Sequence, residues 1–576
     1  MPADILRDST FGSIANYLSN GRLFPFADQR PDYVVPERYL ANSSSPASSL
    51  SPRTSSEAPT VGSTASTTPK DASTLVNEPG ACNNVANGDD VEKQADKPEP
   101  SPSPSPPTAE KYRWLVEFDE NDPERPQNWS MRKKVFVGGL ISLLTFAVYI
   151  GSAVYTSSVP GLMAEFDVGQ VTAISGLTLF VAAYGIGPMI LAPMQELPSM
   201  GRNPVYLAGL ALFVIFQIPE ILAKNMATVL VFRFLSGFVG SPALATGGAS
   251  MADIFPLQHL AVAIGAWAIA AVCGPIAGPV IGGFAAQEMN WRWPFLELLW
   301  ISGAAFVVLF FLLPETYEPT ILLRRAQRLR KLTGNPLLKA PCEVESGHET
   351  LLGLLKENVV RAVRISIEPA ILVANTYIGI VYAVFYLWFE AFPIVFVEMH
   401  HFNLGLSGLP YLGFVVSAAI TFTFYVLYQR YHMLGRLMKG DTHPEVRLEL
   451  GIMAAPFIPV ALFIFGWTAR EDVHWFWPIF GAALYLPGIF LAFQSILMYI
   501  SLSYPRYAAS LLAGNDFFRS VFASVFPLFG TKMYHAMGVG PGSSMLAGVS
   551  ILMIPFLWAI MHYGPRLRAR SNFADF

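Results

Sequence analysis

Charge is scarce in this chain. Asp, Glu, Lys and Arg make up 14% of its 576 residues, against roughly 25% in an ordinary soluble domain. That deficit, with 52% hydrophobic residues and a mean hydropathy of +0.41, excludes a water-soluble globular protein. Cysteine is scarcer still: Cys82, Cys273 and Cys342 are the full set and no CxxC pair exists. A disulfide framework and a thiolate metal site are therefore not expected. The sequence lacks GxxxxGK[ST], HExxH and GxSxG, so ATP hydrolysis, zinc proteolysis and serine-esterase chemistry have no carrier. No catalytic residue, metal, cofactor or nucleic-acid partner is expected. The first ten residues, MPADILRDST, have no apolar core of the kind a signal peptide needs, and the first membrane span is expected to serve as the targeting signal.

What the chain does have is long apolar runs. A bilayer crossing takes ~20 apolar residues, and runs of that order fall at 135–155, 171–194, 204–222, 226–248, 259–286 and 294–313, then at 369–397, 408–431, 451–468, 475–501, 507–536 and 541–563. The run at 451–468 is short. Of the Lys and Arg between these spans, only Lys224, Arg292 and Arg470 fall on the side opposite to the N-terminus. The positive-inside rule then puts both ends in the cytoplasm. The reading is an all-α polytopic membrane protein with a lipid bilayer as its solvent and two six-helix bundles, 135–313 and 369–563. Residues 1–108 form a cytoplasmic tail, with helical spacing of Ile5, Leu6, Phe11, Ile14 and Leu18 at its start. From Asn42 to Thr108 Ser, Pro, Thr and Asn leave too little apolar surface for a core, so disorder is expected. Residues 109–134 lead into the membrane, 314–368 form a linker with two amphipathic helices, and 564–576 close the chain. Two sets of six spans joined by a cytoplasmic linker is the layout of a transporter built from repeats. With no nucleotide site, uphill transport must draw on an ion gradient.

Span five carries the most unusual composition. Gly265, Gly274, Gly278, Gly282 and Gly283 accompany Pro275 and Pro279, and the series from Gly274 to Gly282 recurs every four residues. In water each interior Gly costs ~1 kcal/mol and each Pro ~3. In a bilayer the same residues allow close backbone approach and re-satisfied carbonyls. The spacing matches gX8GX3GPX2GG. Other motifs are Arg233-Phe-Leu-Ser-Gly237 in span four, and Gly187-Pro188, Pro193, Glu196 and Gly201-Arg202 in the loop before span three. Flanking them are Asp122-Pro-Glu-Arg-Pro-Gln-Asn-Trp129, Pro314-Glu-Thr316 and NDFFRSVFASVFPLFG from Asn515.

Together these resemble the major facilitator superfamily, and within it the fungal twelve-span drug:proton antiporters associated with benomyl and fluconazole resistance. The resemblance covers nearly all of 110–570. It implies the major facilitator fold, proton coupling, export of hydrophobic toxicants such as azole antifungals, and a plasma-membrane location. It implies a role for Arg233 in proton translocation, for the span-five motif in antiport and for Glu196, Gly201 and Arg202 in the intracellular loop motif. Glu196 stands where that motif has Asp, and Asn203 replaces its second base.

Arg cannot release its proton, so a carboxylate must carry it. Glu390, in the aromatic run of Tyr382, Tyr386 and Phe389, is one candidate; Asp516 is another, although Arg519 three residues on shares its face and can neutralise it. Gln217, Asn375, Tyr382, Tyr386 and Gln494 are expected to line the substrate cavity. The partners expected are small hydrophobic substrates and protons, with a monomer as the working unit. Two other readings fit: an exporter of one endogenous metabolite or toxin, and a non-transporting sensor on the same fold.

Overall fold

The computed structural model describes residues 2–19, 21–36, 39–40, 114–345, 351–440, 443–504 and 508–569. Its contacts separate Val35–Trp114 from a unit of Met1–Val34 and Leu115–Phe576, which holds every span. The disorder expected from Asn42 to Thr108 lies outside the described residues. Helix is the regular structure of the described residues, with two isolated bridges besides.

Span one is Met131–Val154, prolonged by a 3₁₀ turn and Val159–Phe166; span two is Gln170–Gln195 and span three Arg202–Ile221. Span four, Met226–Ala245, runs on as Gly247–Ile254. Span five is Leu257–Glu288 and span six Trp293–Leu312. In the second bundle span seven is Pro369–Phe392, and span eight is Leu412–Tyr428 within the longer apolar stretch Leu406–Met438. Span nine comprises Leu448–Ala454 and Phe457–Thr468, span ten Phe476–Ala483 and Tyr485–Ser503, span eleven Ala508–Met537 and span twelve Val539–Arg568. Eleven of these, among the described residues, are long and apolar enough to cross a membrane. Span eleven is the exception: its thirty residues include Asp516, Arg519 and Lys532. The short run expected at 451–468 is extended by a polar start at Pro444.

Local chemistry sets the boundaries. The Ser130 and Asn225 side chains accept from Lys133 N and Thr228 N to cap spans one and four. Gly201 and Gly538 turn the chain into spans three and twelve with φ of +81° and +84°, values that favour glycine. Within the first bundle span five packs on span one, span two on span four, and span three on spans four and six. Within the second, span seven packs on spans eleven and twelve and span nine on spans ten and twelve. The broadest contacts between the bundles are span two with span eleven and span five with span eight.

Even numbers of spans leave the linker and both ends on one side, the linker face. The linker contributes helices Glu318–Thr333 and Leu351–Ser366 there, as its apolar spacing predicts. The helical start of the tail resolves into Pro2–Asp8 and Thr10–Leu18. It docks on this face: Phe11 lies 4.8 Å from the Phe311 ring, Asp8 pairs with Lys133 at 3.1 Å, and Arg328 of the linker holds Asp28 at 2.7 Å.

Candidate functional site

Span five stays one helix through both prolines. Each Pro removes the donor that would serve the carbonyl four residues earlier, which leaves Ala271 and Pro275 without theirs. Both line the central cavity. The glycines face two partners. A Cβ on Gly274 would stand 2.7 Å from Tyr149 Cβ, and one on Gly278 would stand 2.5 Å from Val154 N, both on span one. Gly282 continues the same face at 3.0 Å from the Val154 side chain. Gly265 would meet Tyr425 of span eight at 2.7 Å and Gly283 the Leu404 carbonyl at 2.9 Å. The motif thus packs span five on its own bundle in the middle and on the other bundle at both ends.

The cavity lies between the bundles. Its walls come from spans one, five, seven, ten and eleven, with Tyr149, Trp267, Tyr382, Phe385, Phe490 and Phe493 supplying rings and Arg519 the one charge. Its volume is about 50 Å³, whereas drug-sized ligands occupy roughly 300–1,000 Å³. The bundles must part to admit one. Arg519 is not a free charge: its Nε donates to Asp516 at 2.7 Å and its Nη2 reaches Tyr149 Oη at 3.4 Å.

A polar seam crosses the bundle interface beside this cavity. Tyr184 of span two meets Tyr382 and Tyr386 of span seven, hydroxyl to hydroxyl, at 3.1 and 3.2 Å. Tyr386 also donates to Ser152 Oγ of span one at 3.4 Å. The backbone of the same serine receives Arg233: Nη2 lies 3.5 Å from Ser152 O, and Nε 3.4 Å from Gly176 O. Arg233 is fully buried and stacks over Phe180 at 4.3 Å and Tyr155 at 4.8 Å. Its carboxylate partner is Glu220 of span three, also fully buried, with 4.0 Å between Arg233 Nη1 and Glu220 Oε2. Glu220 Oε1 accepts from Ser236 Oγ at 2.9 Å.

On the linker face Arg202 pairs with Asp253, the last acidic residue of span four's continuation. Glu196, the residue in the loop motif's acidic position, is exposed; its carbonyl, not its carboxylate, accepts from Tyr317 Oη at 3.1 Å. The acidic cap of span three is Glu315, whose carboxylate accepts from the backbone N–H of Arg202, Asn203, Thr316 and Tyr317 at 3.0–3.3 Å. Burial pushes the Glu315 carboxyl up from its ordinary range, while Arg324 and those N–H groups hold it down. A Cβ on Gly201 would stand 2.5 Å from Glu315 Oε2, so glycine is required twice over, by φ and by space. Replacing Glu315 by alanine orphans several buried donors, and unsatisfied groups cost about 1–3 kcal/mol each. The expected result is a lower melting temperature of the purified protein in detergent, with Glu315→Gln intermediate; an unchanged Tm would remove the cap from the account.

The remaining candidates are placed as follows. Glu390 is buried and accepts from Thr531 Oγ1 of span eleven at 2.6 Å. Asp516 is neutralised by Arg519, as their spacing suggested. Tyr382 lines the cavity and Tyr386 belongs to the seam. Four expected cavity residues, Tyr386 among them, are not among those lining it. Gln217 turns to Phe213 O and Ser236 between spans three and four, at 3.2 and 3.5 Å, and Asn375 accepts from Asn515 Nδ2 at 2.7 Å between spans seven and eleven. Gln494 is buried on span ten next to the cavity's Phe493. For Gln217 and Asn375 the reason is that buried amides seek polar partners between helices rather than apolar walls. Glu220, Tyr149 and Tyr184 escaped the sequence reading. The signal for Glu220 was present: Arg233, Ser236, Gly237 and Gly240 share one face of span four, and a carboxylate one turn beyond Gln217 on the preceding span can meet it.

Comparison with known proteins agrees with the geometry. A family profile described as Major Facilitator Superfamily matches residues 141–527. A cycloheximide resistance protein of Candida maltosa is 36% identical over 584 aligned residues, covering 99% of this chain and 100% of that protein. Fluconazole resistance protein 1 of Saccharomyces cerevisiae is 38% identical over 463 residues, 79% of this chain and 84% of its own. Among solved structures, a peptide transporter POT in complex with sulfate shares the fold at a TM-score of 0.55 with 13% identity, covering 79% of this chain and 99% of that one.

Proposed function

The chain belongs to the major facilitator superfamily, a family of membrane transporters, and from that premise we propose that it exports structurally varied apolar compounds in exchange for protons. The observation that carries the reading is the cavity between the bundles: aromatic walls, one arginine, and an aspartate already spent on that arginine. Such a site has no uncompensated charge to select an ionic substrate and much ring surface to hold an apolar one. Relatives of the chain are named for resistance to cycloheximide and fluconazole, which makes both compounds the natural first substrates, azoles included.

The cycle follows from which contacts join the bundles. Tyr184 with Tyr382 and Tyr386, Arg519 with Tyr149, and span five with span eight must all loosen for the cavity to reach drug size. The two bundles rock about this seam and expose the cavity to one side at a time. Span five keeps its glycine face on span one throughout, so the first bundle moves as a body. Protons flowing inward bias the return step. We place the chain in the plasma membrane with the linker face cytoplasmic; one chain contains both bundles and the whole cavity, so a monomer suffices.

Expression in yeast cells stripped of their own pumps tests the reading. Tolerance to fluconazole, cycloheximide and other unrelated apolar inhibitors should rise together, and a protonophore should stop efflux from preloaded cells. Tolerance to one compound alone would favour a dedicated metabolite exporter. Unchanged accumulation of every compound would contradict transport.

A further inference from the structure

We propose that Glu220 is the carboxylate that takes up and releases the transported proton, and that Arg233 sets which of the two it does. This rests on the proton-driven reading above. Among the described residues other buried or half-buried arginine–carboxylate pairs are closed at hydrogen-bond distance, Arg519 on Asp516, Arg202 on Asp253, Arg325 on Asp122, Arg328 on Asp28 and Arg568 on Glu445. The pair of Arg233 and Glu220 is open. Arg233 Nη1 stands 4.0 Å from Glu220 Oε2, and neither atom has another hydrogen-bond partner. Charge-assisted pairs settle at ~2.7–2.9 Å when nothing opposes them. Something does: the guanidinium is also drawn toward Ser152 O and Gly176 O and stacked on Phe180 and Tyr155.

That second set of partners leads to the other bundle. Ser152 holds Tyr386, and Tyr386 belongs to span seven. Parting the bundles withdraws Tyr386 from the Oγ of Ser152, the residue whose backbone O competes with Glu220 for Arg233. When Arg233 closes on Glu220, the carboxylate is stabilised in its ionised form and its proton leaves. When Arg233 is drawn to the seam, a carboxylate buried in an apolar site without its cation takes up a proton, since burying an unpaired charge is the costlier state. The bond formed and broken is the O–H at Oε2.

The groups facing Glu220 are few. Span four presents Arg233 and Ser236, and the turn after span one presents Tyr155, stacked under Arg233. On its own helix Gln217 shares Ser236. At the same end Arg292 is occupied with the Ile221 and Ala223 carbonyls and with Glu165. Glu390 has no cation beside it among these contacts, and Asp516 is held by Arg519, so neither has a switch.

Purified protein in liposomes tests the assignment, with radiolabelled fluconazole or cycloheximide, whichever wild type carries. Acid-inside vesicles of wild type should accumulate the label; if they do not, the proton-driven reading fails and the assignment with it. Glu220→Gln should bring gradient-driven accumulation to the level of empty liposomes while label–substrate exchange without a gradient persists. Glu220→Asp should restore driven accumulation with a displaced pH profile. Wild-type driven accumulation by Glu220→Gln would overturn the assignment and leave proton coupling standing. Loss of both exchange and driven transport in Gln and Asp variants alike would make Glu220 a structural residue and also overturn it.

Discussion

Leucine at Gly278 is expected to abolish export while the protein still reaches its membrane. A Cβ there would lie 2.5 Å from Val154 N and 2.8 Å from Ala153 C. Both are backbone atoms of span one and cannot rotate aside. Even the first added carbon must push the two helices apart, and a full leucine adds three more. Overpacking of this kind costs about 1–3 kcal/mol where the structure can shift. Here the shift falls on the pair that forms one wall of the cavity, because Tyr149 and Pro275 stand on the same two helices. Insertion should be untouched, since leucine suits a membrane span. Gly303 of span six supplies the control: no atom lies within 4 Å of a Cβ built there, so Gly303→Leu should export normally. Efflux measured beside surface abundance of a fluorescent fusion decides it. Normal export by Gly278→Leu would mean that the close approach of spans one and five is dispensable.

Arg233→Ala should lose protonophore-sensitive efflux altogether and lower the melting temperature as well. Removing one member of a buried ion pair typically costs about 3–5 kcal/mol, here because Glu220 must then take up a proton to avoid an unpaired buried charge. The stacking on Phe180 and Tyr155 goes with it, at about 0.5–2 kcal/mol for such contacts. The two losses have different remedies. Adding Glu220→Gln to Arg233→Ala removes the need for that proton and should return part of the thermal stability. It should return none of the gradient-driven transport, which needs both groups. Recovery of transport along with stability would show that the arginine serves packing alone.

The spans were legible because a bilayer imposes length and apolarity on every crossing. The twelve spans overlap the runs read from composition, and the differences in their ends and polarity have physical causes. Span nine looked short because its first turn carries Glu445, Arg447 and Glu449. Span eleven was legible as a run but is more polar than the others, since Asp516, Arg519 and Lys532 lie inside it, the first two neutralising each other. The span-five glycines were legible as a face, and the structure supplies what lies against it.

Pairings between distant segments were not legible. Arg202 meets Asp253 and Glu315 from across the sequence, and spacing carries no trace of that. Glu220 was overlooked because it sits near a helix end, where a carboxylate ordinarily reaches water; only the packing of span four over it makes it fully buried. The tyrosine seam likewise exists only once both bundles meet. Polarity alone points Gln217 and Asn375 to the cavity, and polarity draws them instead to partners between helices.

The central claim is that export is driven by protons moving the other way, and it is tested most directly by recording both fluxes at once. Liposomes containing the purified chain, an internal pH dye and an acid interior are given radiolabelled fluconazole outside, with no nucleotide or other ion gradient present. The account predicts that label enters as the interior turns alkaline, that both fluxes stop when the gradient is collapsed, and that adding the substrate quickens proton exit. Uptake of label at the same rate with the gradient collapsed, or proton exit indifferent to the substrate, would contradict it.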